Sequence, residues 1–412
     1  MREMKDSGTV WLGTIPANWD IARIGSFYRL RNTKVSDTDY PPLSVTNKGV
    51  VPQLETAAKT NAHDDRKLVK KGDFAINSRS DRRGSCGIAP CDGSVSLINT
   101  ILSPMGEMNP RYYDWLFHTI EFGDEFYKCG HGIVDDLWTT GWQDMKKILI
   151  PYPSLAEQEK IANFLDFQCS EIDAISADIQ KEIEILEQYK RSVITEAVTK
   201  GLNPDAEMKD SGAEWIGEVP TNWDLGRIGG FYSLRNEKVS DKDYPPLSVT
   251  MKGVLPQLET AAKTNDGDNR KLVRKGDFAI NSRSDRRGSC GISKYDGSVS
   301  LINTVLTPRG KMSAAYYDWV FHCTRFSDEF YRQGHGIVDD LWTTGWQEMK
   351  KIIIPVPPLP EQNRIADYLS SKCSDVDFII SQKNQQVETL ANYKKTLIYE
   401  YVTGKKEVPV QN

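Results

Sequence analysis

Apolar positions recur at coiled-coil spacing along two long stretches of the chain. The first, residues 157–200, contains no Pro or Gly, and its apolar residues are three, four or seven positions apart. A stripe this narrow cannot bury itself alone, so the pattern predicts two long helices that pair with each other. Two amphipathic helices packed on separate domains are the alternative. The predicted seam residues are Ile161, Leu165, Ile172, Ile175, Ile179, Leu186, Tyr189 and Val193, and in the second stretch Ile365, Leu369, Val376, Ile379, Leu390, Tyr393 and Leu397.

Shorter patterns precede each long stretch. Runs rich in β-branched residues, bounded by Gly, Pro and Asp, predict strands at residues 43–46, 74–77, 95–102 and 148–150. Residues 112–127 have helical apolar spacing. Each long helix is therefore expected to follow a domain of mixed α/β structure.

The chain is a tandem duplication with a constant offset of 204 residues. Residues 4–8 return at 208–212, and residues 77–88 return without a change at 281–292. The predicted class is α+β, as two mixed α/β domains, two long helices and pseudo-two-fold internal duplication. The predicted boundaries are a first domain at 1–154, a helix at 155–200, a linker and second domain at 201–358, a helix at 359–405 and a tail at 406–412.

Composition places the chain among ordinary soluble proteins, with 39% hydrophobic and 26% charged residues. No apolar run is long enough to span a membrane, and no leader pattern stands at the N-terminus. The seven cysteines form no C-x-x-C pair, which favours reduced thiols in a cytoplasmic protein over disulfides or zinc. The net charge of −5 weighs weakly against nucleic-acid binding, but residues 157–200 alone hold ten acidic and five basic residues, so the globular parts are near neutral.

An arginine-rich loop is the leading candidate for binding chemistry. It follows a predicted strand, and it combines guanidinium, amide and hydroxyl groups suited to phosphate contact and to reading base edges. A solvated surface loop is the alternative. The candidate DNA-binding residues here are Asn77, Arg79, Ser80, Arg82 and Arg83, with their copies Asn281, Arg283, Ser284, Arg286 and Arg287.

Further candidates lie outside that loop. Lys48 and Lys252 are expected to contact phosphate, and Asn47, which can read adenine, is replaced by Met251 in the second copy. His131 and its copy His335 are assigned a DNA-contacting or structural role, although His131 with Asp135 and Asp136 could also suggest a metal or acid/base site. Four basic neighbours, each with a basic copy, add weight to DNA binding or form a solvated face: Arg66, Lys67, Lys70 and Lys71.

Motifs of common enzyme classes are absent from the sequence. There is no phosphate-binding G-x-x-x-x-G-K-[ST] loop, no G-x-S-x-G and no H-E-x-x-H. An amino-methylation tetrapeptide is also missing, since Tyr40-Pro41-Pro42-Leu43 lacks the required amide or carboxylate. The chain is therefore predicted not to be an enzyme; an independent nuclease would depend on the acidic group beside His131.

The order of motifs resembles the specificity subunit of type I restriction–modification systems over nearly the whole chain. Residues 4–16 carry this resemblance with their copy at 208–220, together with Pro-x-Leu-x-Glu-Gln-x-x-Ile-Ala at the start of each long helix. The resemblance implies two target-recognition domains and two helices paired antiparallel as a spacer.

The resemblance also implies a function. A non-catalytic subunit of this family reads a bipartite target in double-stranded DNA and positions methylation subunits, two per specificity subunit, and through them restriction subunits. S-adenosylmethionine, ATP and Mg²⁺ would belong to those partners, with no cofactor in this chain. Members of the family normally carry divergent recognition domains, whereas these two are nearly the same, so the expected target is an interrupted, near-palindromic sequence. A stand-alone DNA-binding scaffold is the alternative function.

Overall fold

The computed structural model describes residues 2–53, 64–79, 82–132, 138–258, 267–336 and 342–409, without the side chain of Ser284. The chain divides into two compact units, one formed by residues 1–179 with 385–412 and the other by residues 180–384. Each unit therefore contains one predicted domain, the first half of its own long helix and the second half of the other. No described helix is long and apolar enough to cross a membrane.

The first domain and its long helix contain thirteen strands and four helices in the described residues. The strands are β1 (Met4–Asp6), β2 (Thr14–Pro16), β3 (Asp20–Arg23), β4 (Tyr28–Arg31), β5 (Lys34–Val35), β6 (Leu43–Thr46), β7 (Gly49–Pro52), β8 (Arg66–Val69), β9 (Phe74–Asn77), β10 (Cys86–Ile88), β11 (Gly93–Val95), β12 (Asn99–Pro104) and β13 (Leu149–Tyr152). The helices are α1 (Pro110–Phe117), α2 (Ile120–Lys128), α3 (Trp142–Met145) and α4 (Leu155–Lys200).

The second copy repeats this order, with a short α-helix where the first copy has a 3₁₀ helix at Ile24–Ser26. Its strands are β14 (Met208–Asp210), β15 (Glu218–Pro220), β16 (Asp224–Arg227), β17 (Tyr232–Arg235), β18 (Lys238–Val239), β19 (Leu247–Thr250), β20 (Gly253–Pro256), β21 (Arg270–Val273), β22 (Phe278–Asn281), β23 (Cys290–Ile292), β24 (Gly297–Val299), β25 (Asn303–Pro308) and β26 (Ile353–Val356). Its helices are α5 (Ile228–Phe231), α6 (Ala314–His322), α7 (Thr324–Arg332), α8 (Trp346–Met349) and α9 (Leu359–Val402).

A four-stranded antiparallel sheet with the order β10-β9-β12-β4 forms the centre of the first domain. Strand β9 is buried along its whole length, since it lies between β10 and β12 and its side chains face packed layers on both sides. An aromatic cluster that includes Phe74, Phe117 and Phe122 fills one side. A smaller cluster with Leu43, Val50 and Ala75 fills the other, beneath the β6–β7 hairpin. The second domain has the same order, β23-β22-β25-β17.

Two predicted elements are interrupted in the structure. The single strand expected at residues 95–102 is wrong, because a turn at residues 96–98 separates β11 from β12. Asn99 closes that turn, with its backbone N–H 3.1 Å and its side-chain Nδ2 3.0 Å from the Ser96 carbonyl oxygen. The single helix expected at 112–127 is also wrong, because Thr119 caps a new helix, α2, by accepting from the Phe122 N–H at 3.2 Å.

A buried glutamine joins each domain to the start of its long helix. Gln158 is fully buried, its Oε1 accepts from the Asn109 N–H, and its Nε2 donates to the Pro153 carbonyl, both at 2.8 Å. Gln362 makes the equivalent bonds to Ser313 and Pro357. Only an amide offers a donor and an acceptor in this geometry, which explains the glutamine of the Glu-Gln motif.

Replacing Gln158 by alanine is expected to destabilise the first unit by about 2–4 kcal/mol, because two buried backbone groups lose their partners at about 1–3 kcal/mol each. Denaturant unfolding of the full chain measures the change. Glu159→Ala, at the exposed neighbouring position, is the control and should stay within about 0.5 kcal/mol. Equal stability of the two variants would contradict this role of Gln158.

The long helices pack against each other within each unit, but the predicted seams are wrong at Ile175 and Tyr189 in α4 and at Ile379 and Tyr393 in α9. Ile175 and Tyr189 are 49% and 44% exposed, whereas Cys169 and Ile183 are buried. The heptad therefore runs through residues 165, 169, 172, 176, 179, 183, 186 and 190, so Ile175 and Tyr189 each lie one position before a seam residue. In the first unit, α4 and α9 meet in a cluster that includes Leu165 and Leu397.

Hydrogen bonds and ion pairs define the direction of this packing inside each unit. In the first unit, Lys160 Nζ lies 3.1 Å from the Val408 carbonyl oxygen and Lys394 Nζ lies 2.7 Å from Asp173 Oδ1. In the second unit, Lys190 Nζ lies 2.6 Å from Asp377 Oδ1. In the first unit the partner residue number falls as the α4 number rises. The same holds in the second unit, where Glu182 also pairs with Lys383, so the two segments in each unit are antiparallel, as the resemblance implies.

The second long helix ends earlier than predicted. Helix α9 stops at Val402, not at residue 405. Gly404 adopts a φ of +71°, the left-handed conformation that terminates helices and that glycine adopts without steric cost.

Candidate nucleic-acid interface

The arginine loop, residues 78–85, connects the buried strand β9 to β10. Hydrogen bonds close its base, with the Asn77 N–H 2.8 Å from the Ser85 carbonyl oxygen and the Arg79 N–H 3.0 Å from Asn77 Oδ1. Gly84 provides the positive φ of +72° that the return turn requires. Asn77 itself is buried, as is its copy Asn281. Both side chains therefore shape the loop from inside, although the sequence suggested that they contact DNA.

The arginines of the loop differ in exposure. Arg79 is half-buried, whereas Arg82 and Arg83 are exposed, and Arg283, Arg286 and Arg287 repeat this pattern. The Arg83 guanidinium lies 3.0 Å from Asp124 Oδ1 and 5.5 Å from the centre of the Tyr127 ring. Such an exposed ion pair contributes little stability, so Asp124 orients Arg83 without sequestering it. Ser80 lies outside the described residues, and for Ser284 only the backbone, in a short 3₁₀ turn, is described.

The structure brings His131 beside this loop through a third segment. The backbone of Thr139 forms antiparallel bridges with both Arg79 and His131, and the Thr140 N–H lies 3.0 Å from the Ser78 carbonyl oxygen. On the other side, the Ser78 N–H lies 3.2 Å from the Ile98 carbonyl oxygen. Four segments thus lie side by side. We call this the rim, formed by residues 97–98, 78–79, 139–140 and 131.

The second copy contains the same rim. Arg283 and His335 both form bridges with Thr343, and the Ser282 N–H lies 3.2 Å from the Ile302 carbonyl oxygen. The Thr344 N–H lies 3.0 Å from the Ser282 carbonyl oxygen. Two equivalent surfaces are therefore built from residues that the sequence placed far apart.

His131 is exposed on the rim, with its Nε2 3.2 Å from Asp144 Oδ2. A hydrogen bond from Lys147 is the main cause that lowers the pKa of Asp144, and His131 adds to the effect. The equivalent of Asp144 in the second copy is Glu348. Asp135 and Asp136, which could complete a metal or acid/base site, lie outside the described residues. Within the described part of the chain, no three metal-binding side chains come together.

Asn47 and Lys48 form the exposed turn of the β6–β7 hairpin. The next residue, Gly49, packs so closely on Gly87 that a Cβ atom on Gly87 would lie 2.7 Å from the Gly49 Cα. Gly87 belongs to β10, which leaves the arginine loop, so the hairpin turn lies near the end of that loop. In the second copy the same turn presents Met251, 72% exposed, and Lys252.

The predicted basic neighbours of the loop are divided by the structure. Arg66 is buried, with its Nε 2.9 Å from Ser94 Oγ, and Lys67 Nζ lies 2.7 Å from the Asn99 carbonyl oxygen. Burial lowers the pKa of both side chains. Both are therefore structural, and neither belongs to a solvated face. Lys70 and Lys71 are exposed at the opposite end of β9 from the arginine loop.

Tyr127 is a site residue that sequence reasoning missed. Its hydroxyl lies 3.2 Å from the Asn77 carbonyl oxygen and 3.4 Å from the Arg82 carbonyl oxygen, so it spans the loop from base to tip. Burial raises the pKa of the equivalent Tyr331, whose hydroxyl makes the same two contacts. Only its aromatic position at a helix end marks this residue in the sequence, a signal that core tyrosines share.

Replacing Tyr127 by phenylalanine, together with Tyr331→Phe, should leave the domains folded and weaken specific DNA binding about tenfold or more. The ring remains packed, but the hydroxyl that holds the arginine loop is lost. Competition binding against target and scrambled duplexes measures the effect. Tyr113→Phe with Tyr317→Phe removes hydroxyls that lie 3.4 Å from buried carbonyls away from the rim and is the control. Equal specificity ratios in both variants would contradict the role of Tyr127.

Comparisons with known proteins all find similarity to specificity proteins of type I restriction systems. Residues 220–389 match the family model described as "Type I restriction modification DNA specificity domain". The MjaX type I restriction enzyme specificity subunit of Methanocaldococcus jannaschii is 26% identical over 279 residues, which cover 64% of this chain and 60% of that protein. The MjaVIII specificity subunit of the same organism is 25% identical over 240 residues, 54% of this chain and 51% of that protein. The chain thus spans half to three fifths of the length of these relatives.

Two solved structures have a similar fold. One comes from work on complex assembly and conformational transition of a type I restriction–modification system, with a TM-score of 0.70 at 14% identity, covering 94% of this chain and 98% of that one. The other is the HsdS subunit of Thermoanaerobacter tengcongensis, with a TM-score of 0.53 at 16% identity, covering 95% and 98%. At these identities, the likeness concerns the fold: two strand-rich domains with long packed helices.

Proposed function

We propose that the chain is a type I restriction–modification specificity subunit and that it reads a bipartite target in double-stranded DNA through the two rims. The observation that carries the proposal is the rim, where the half-buried Arg79 lies beside the exposed His131 on a hydrogen-bonded backbone, with the exposed Arg82 and Arg83 of the arginine loop next to it. Exposed guanidiniums beside a hydrogen-bonded rim suit both phosphate oxygens and guanine edges.

In this proposal the chain positions enzymes and performs no chemistry. Two methylation subunits bind along the paired helices, and restriction subunits join through them. S-adenosylmethionine, ATP and Mg²⁺ are bound by those partners. No observation on the described residues favours a stand-alone scaffold. Turnover of DNA by the purified chain alone, with S-adenosylmethionine and Mg²⁺, would rule out the proposal.

The duplication leads to a prediction about the symmetry of the DNA target. Both rims contain the same residues, and each unit pairs an α4 segment antiparallel to an α9 segment. Two equivalent helices that run in opposite directions have an axis of two-fold symmetry, and protein symmetry of this kind is mirrored in palindromic half-sites. We therefore expect an interrupted inverted repeat, with asymmetry at most where Asn47 is replaced by Met251.

Methylome sequencing of cells that express the chain with its methylation subunit tests this expectation. The methylated motif should consist of two matching half-sites on opposite strands, separated by unspecified bases. Exchanging Asn47 for Met should remove any residual asymmetry between the halves. Two unrelated halves, or two matching halves in direct orientation, would contradict the two-fold argument.

A further inference from the structure

The turn at residues 96–98 exposes two adjacent apolar side chains at the edge of the rim. Leu97 and Ile98 are 38% and 37% exposed, and their copies Leu301 and Ile302 are 39% and 41% exposed. Scattered exposed apolar residues are normal on protein surfaces and need no explanation. A neighbouring pair on a turn, where polar residues are common, is less ordinary.

The turn is held rigidly. Asn99 closes it from within through two bonds to the Ser96 carbonyl, and Lys67 Nζ fixes the Asn99 carbonyl from β8 at 2.7 Å. On the rim side, Ser78 donates its N–H to the Ile98 carbonyl, and Ser78 Oγ lies 2.8 Å from Thr100 Oγ1. The second copy repeats these bonds, with Lys271 Nζ 2.6 Å from the Asn303 carbonyl. The two apolar side chains are therefore presented in a fixed place beside Arg79.

The two copies differ at some exposed apolar positions away from the rim and keep the same residue at others, such as Leu30 and Leu234, both 37% exposed. Val10, 95% exposed, is replaced by Glu214, and Ile120, 55% exposed, is replaced by Thr324. By contrast, residues 93–100 and 297–304 are identical. Polar replacement was thus tolerated at exposed apolar positions elsewhere in the domain, but both copies retain the apolar pair beside the arginines.

We propose that Leu97 and Ile98, with Leu301 and Ile302, contact the C5-methyl groups of thymines in the major groove of each half-site. This deepens the proposed function and rests on it, because the arginines next to the pair would reach guanine edges in the same groove. The thymine methyl is the one apolar group that base edges offer there, and it distinguishes an A·T pair from the others. Leu97 and Ile98 thereby act as specificity-determining residues. They recognise thymine, which the arginines alone do not.

Replacing thymine by deoxyuridine removes this methyl group and nothing else. With the full chain bound to its methylation subunits, each thymine of the identified target is exchanged in turn, and affinity is measured by competition. The unchanged protein should bind about fourfold more weakly for at least one exchange per half-site, as expected from ~0.8 kcal/mol for one buried methyl group. The variant with Leu97, Ile98, Leu301 and Ile302 all changed to alanine should bind the thymine target more weakly and no longer respond to the exchange.

Ile120→Thr, which copies the residue of the second domain, is the matched control and should retain the full response to deoxyuridine. If the variant with all four alanine substitutions has a lowered melting temperature, it is replaced by two double variants, Leu97→Ala with Leu301→Ala and Ile98→Ala with Ile302→Ala. A variant that keeps the response, an unchanged protein that ignores every exchange, or a half-site without thymine on either strand would overturn the inference. Equal binding of target and scrambled duplex by the unchanged protein would instead refute the proposed function.

Discussion

Replacing Arg79, Arg82 and Arg83 together by alanine should abolish specific DNA binding, with a loss of at least two to three orders of magnitude in affinity. Each well-oriented arginine–base pair is worth about 1–3 kcal/mol of discrimination. The logarithmic salt dependence should also flatten by about 0.9 for each phosphate contact that is lost. Changing Arg283, Arg286 and Arg287 should have the same effect through the other half-site.

The double variant Lys70→Ala/Lys71→Ala is the control, because it also removes positive charges. These lysines are exposed and lie at the opposite end of β9 from the arginine loop. Their removal should lower the affinity for target and scrambled DNA little and equally. Fluorescence titration at several salt concentrations measures both quantities. If the variant that lacks the three arginines is folded and binds DNA normally, the loop is an ordinary solvated surface loop without a role in binding.

Removing one heptad from the middle of both helices should shorten the unspecified gap of the target. The ion pairs Asp173–Lys394 and Lys190–Asp377 share one register, and a pair continued in this register places residues 179–185 opposite 382–388. Deleting both segments keeps the two ion pairs and the phase of the seam. Each helix loses about 10 Å at 1.5 Å per residue, which limits the shortening to about three base pairs at 3.4 Å each.

The gap is measured by methylome sequencing of cells that express the shortened chain with its methylation subunit. Deleting residues 179–185 alone is the control; it leaves one helix longer than the other and should lower the melting temperature without defining a new gap. A stable, active double deletion with an unchanged gap would show that the helices do not set the spacing.

Sequence patterns predicted the duplicated domains and the long helices, but they placed the seam only in part. The apolar spacing predicted that the large residues Ile175 and Tyr189 lie on the seam, whereas Cys169 and Lys190 lie there. Lys190 is tolerated because its ammonium reaches Asp377 at the edge of the helix pair. A long side chain can carry its charge out of an apolar seam. A pattern that classes residues only as apolar or polar does not contain this information.

The sequence allowed the arginine loop to be located, but not the contacts that support it. An arginine near the loop could be buried, as Arg66 is, or half-buried, as Arg79 is, and the sequence marks both in the same way. What separates them is contact across strands distant in sequence, such as Arg66 with Ser94. The role of Tyr127 depends likewise on where a helix end meets the loop.

The repeated ion pair has a consequence during synthesis of the chain. Subtracting the 204-residue offset from the register of Asp173 with Lys394 gives Asp173 opposite Lys190, so the first helices of two different chains could form both charge pairs with each other. The ribosome needs about 10 to 40 seconds to make the intervening 204 residues at 5–20 residues per second. During that interval the seam of α4 has no partner in its own chain. Neighbouring nascent chains on one messenger RNA therefore compete with the second helix, whose advantage is the high effective concentration of a tethered partner.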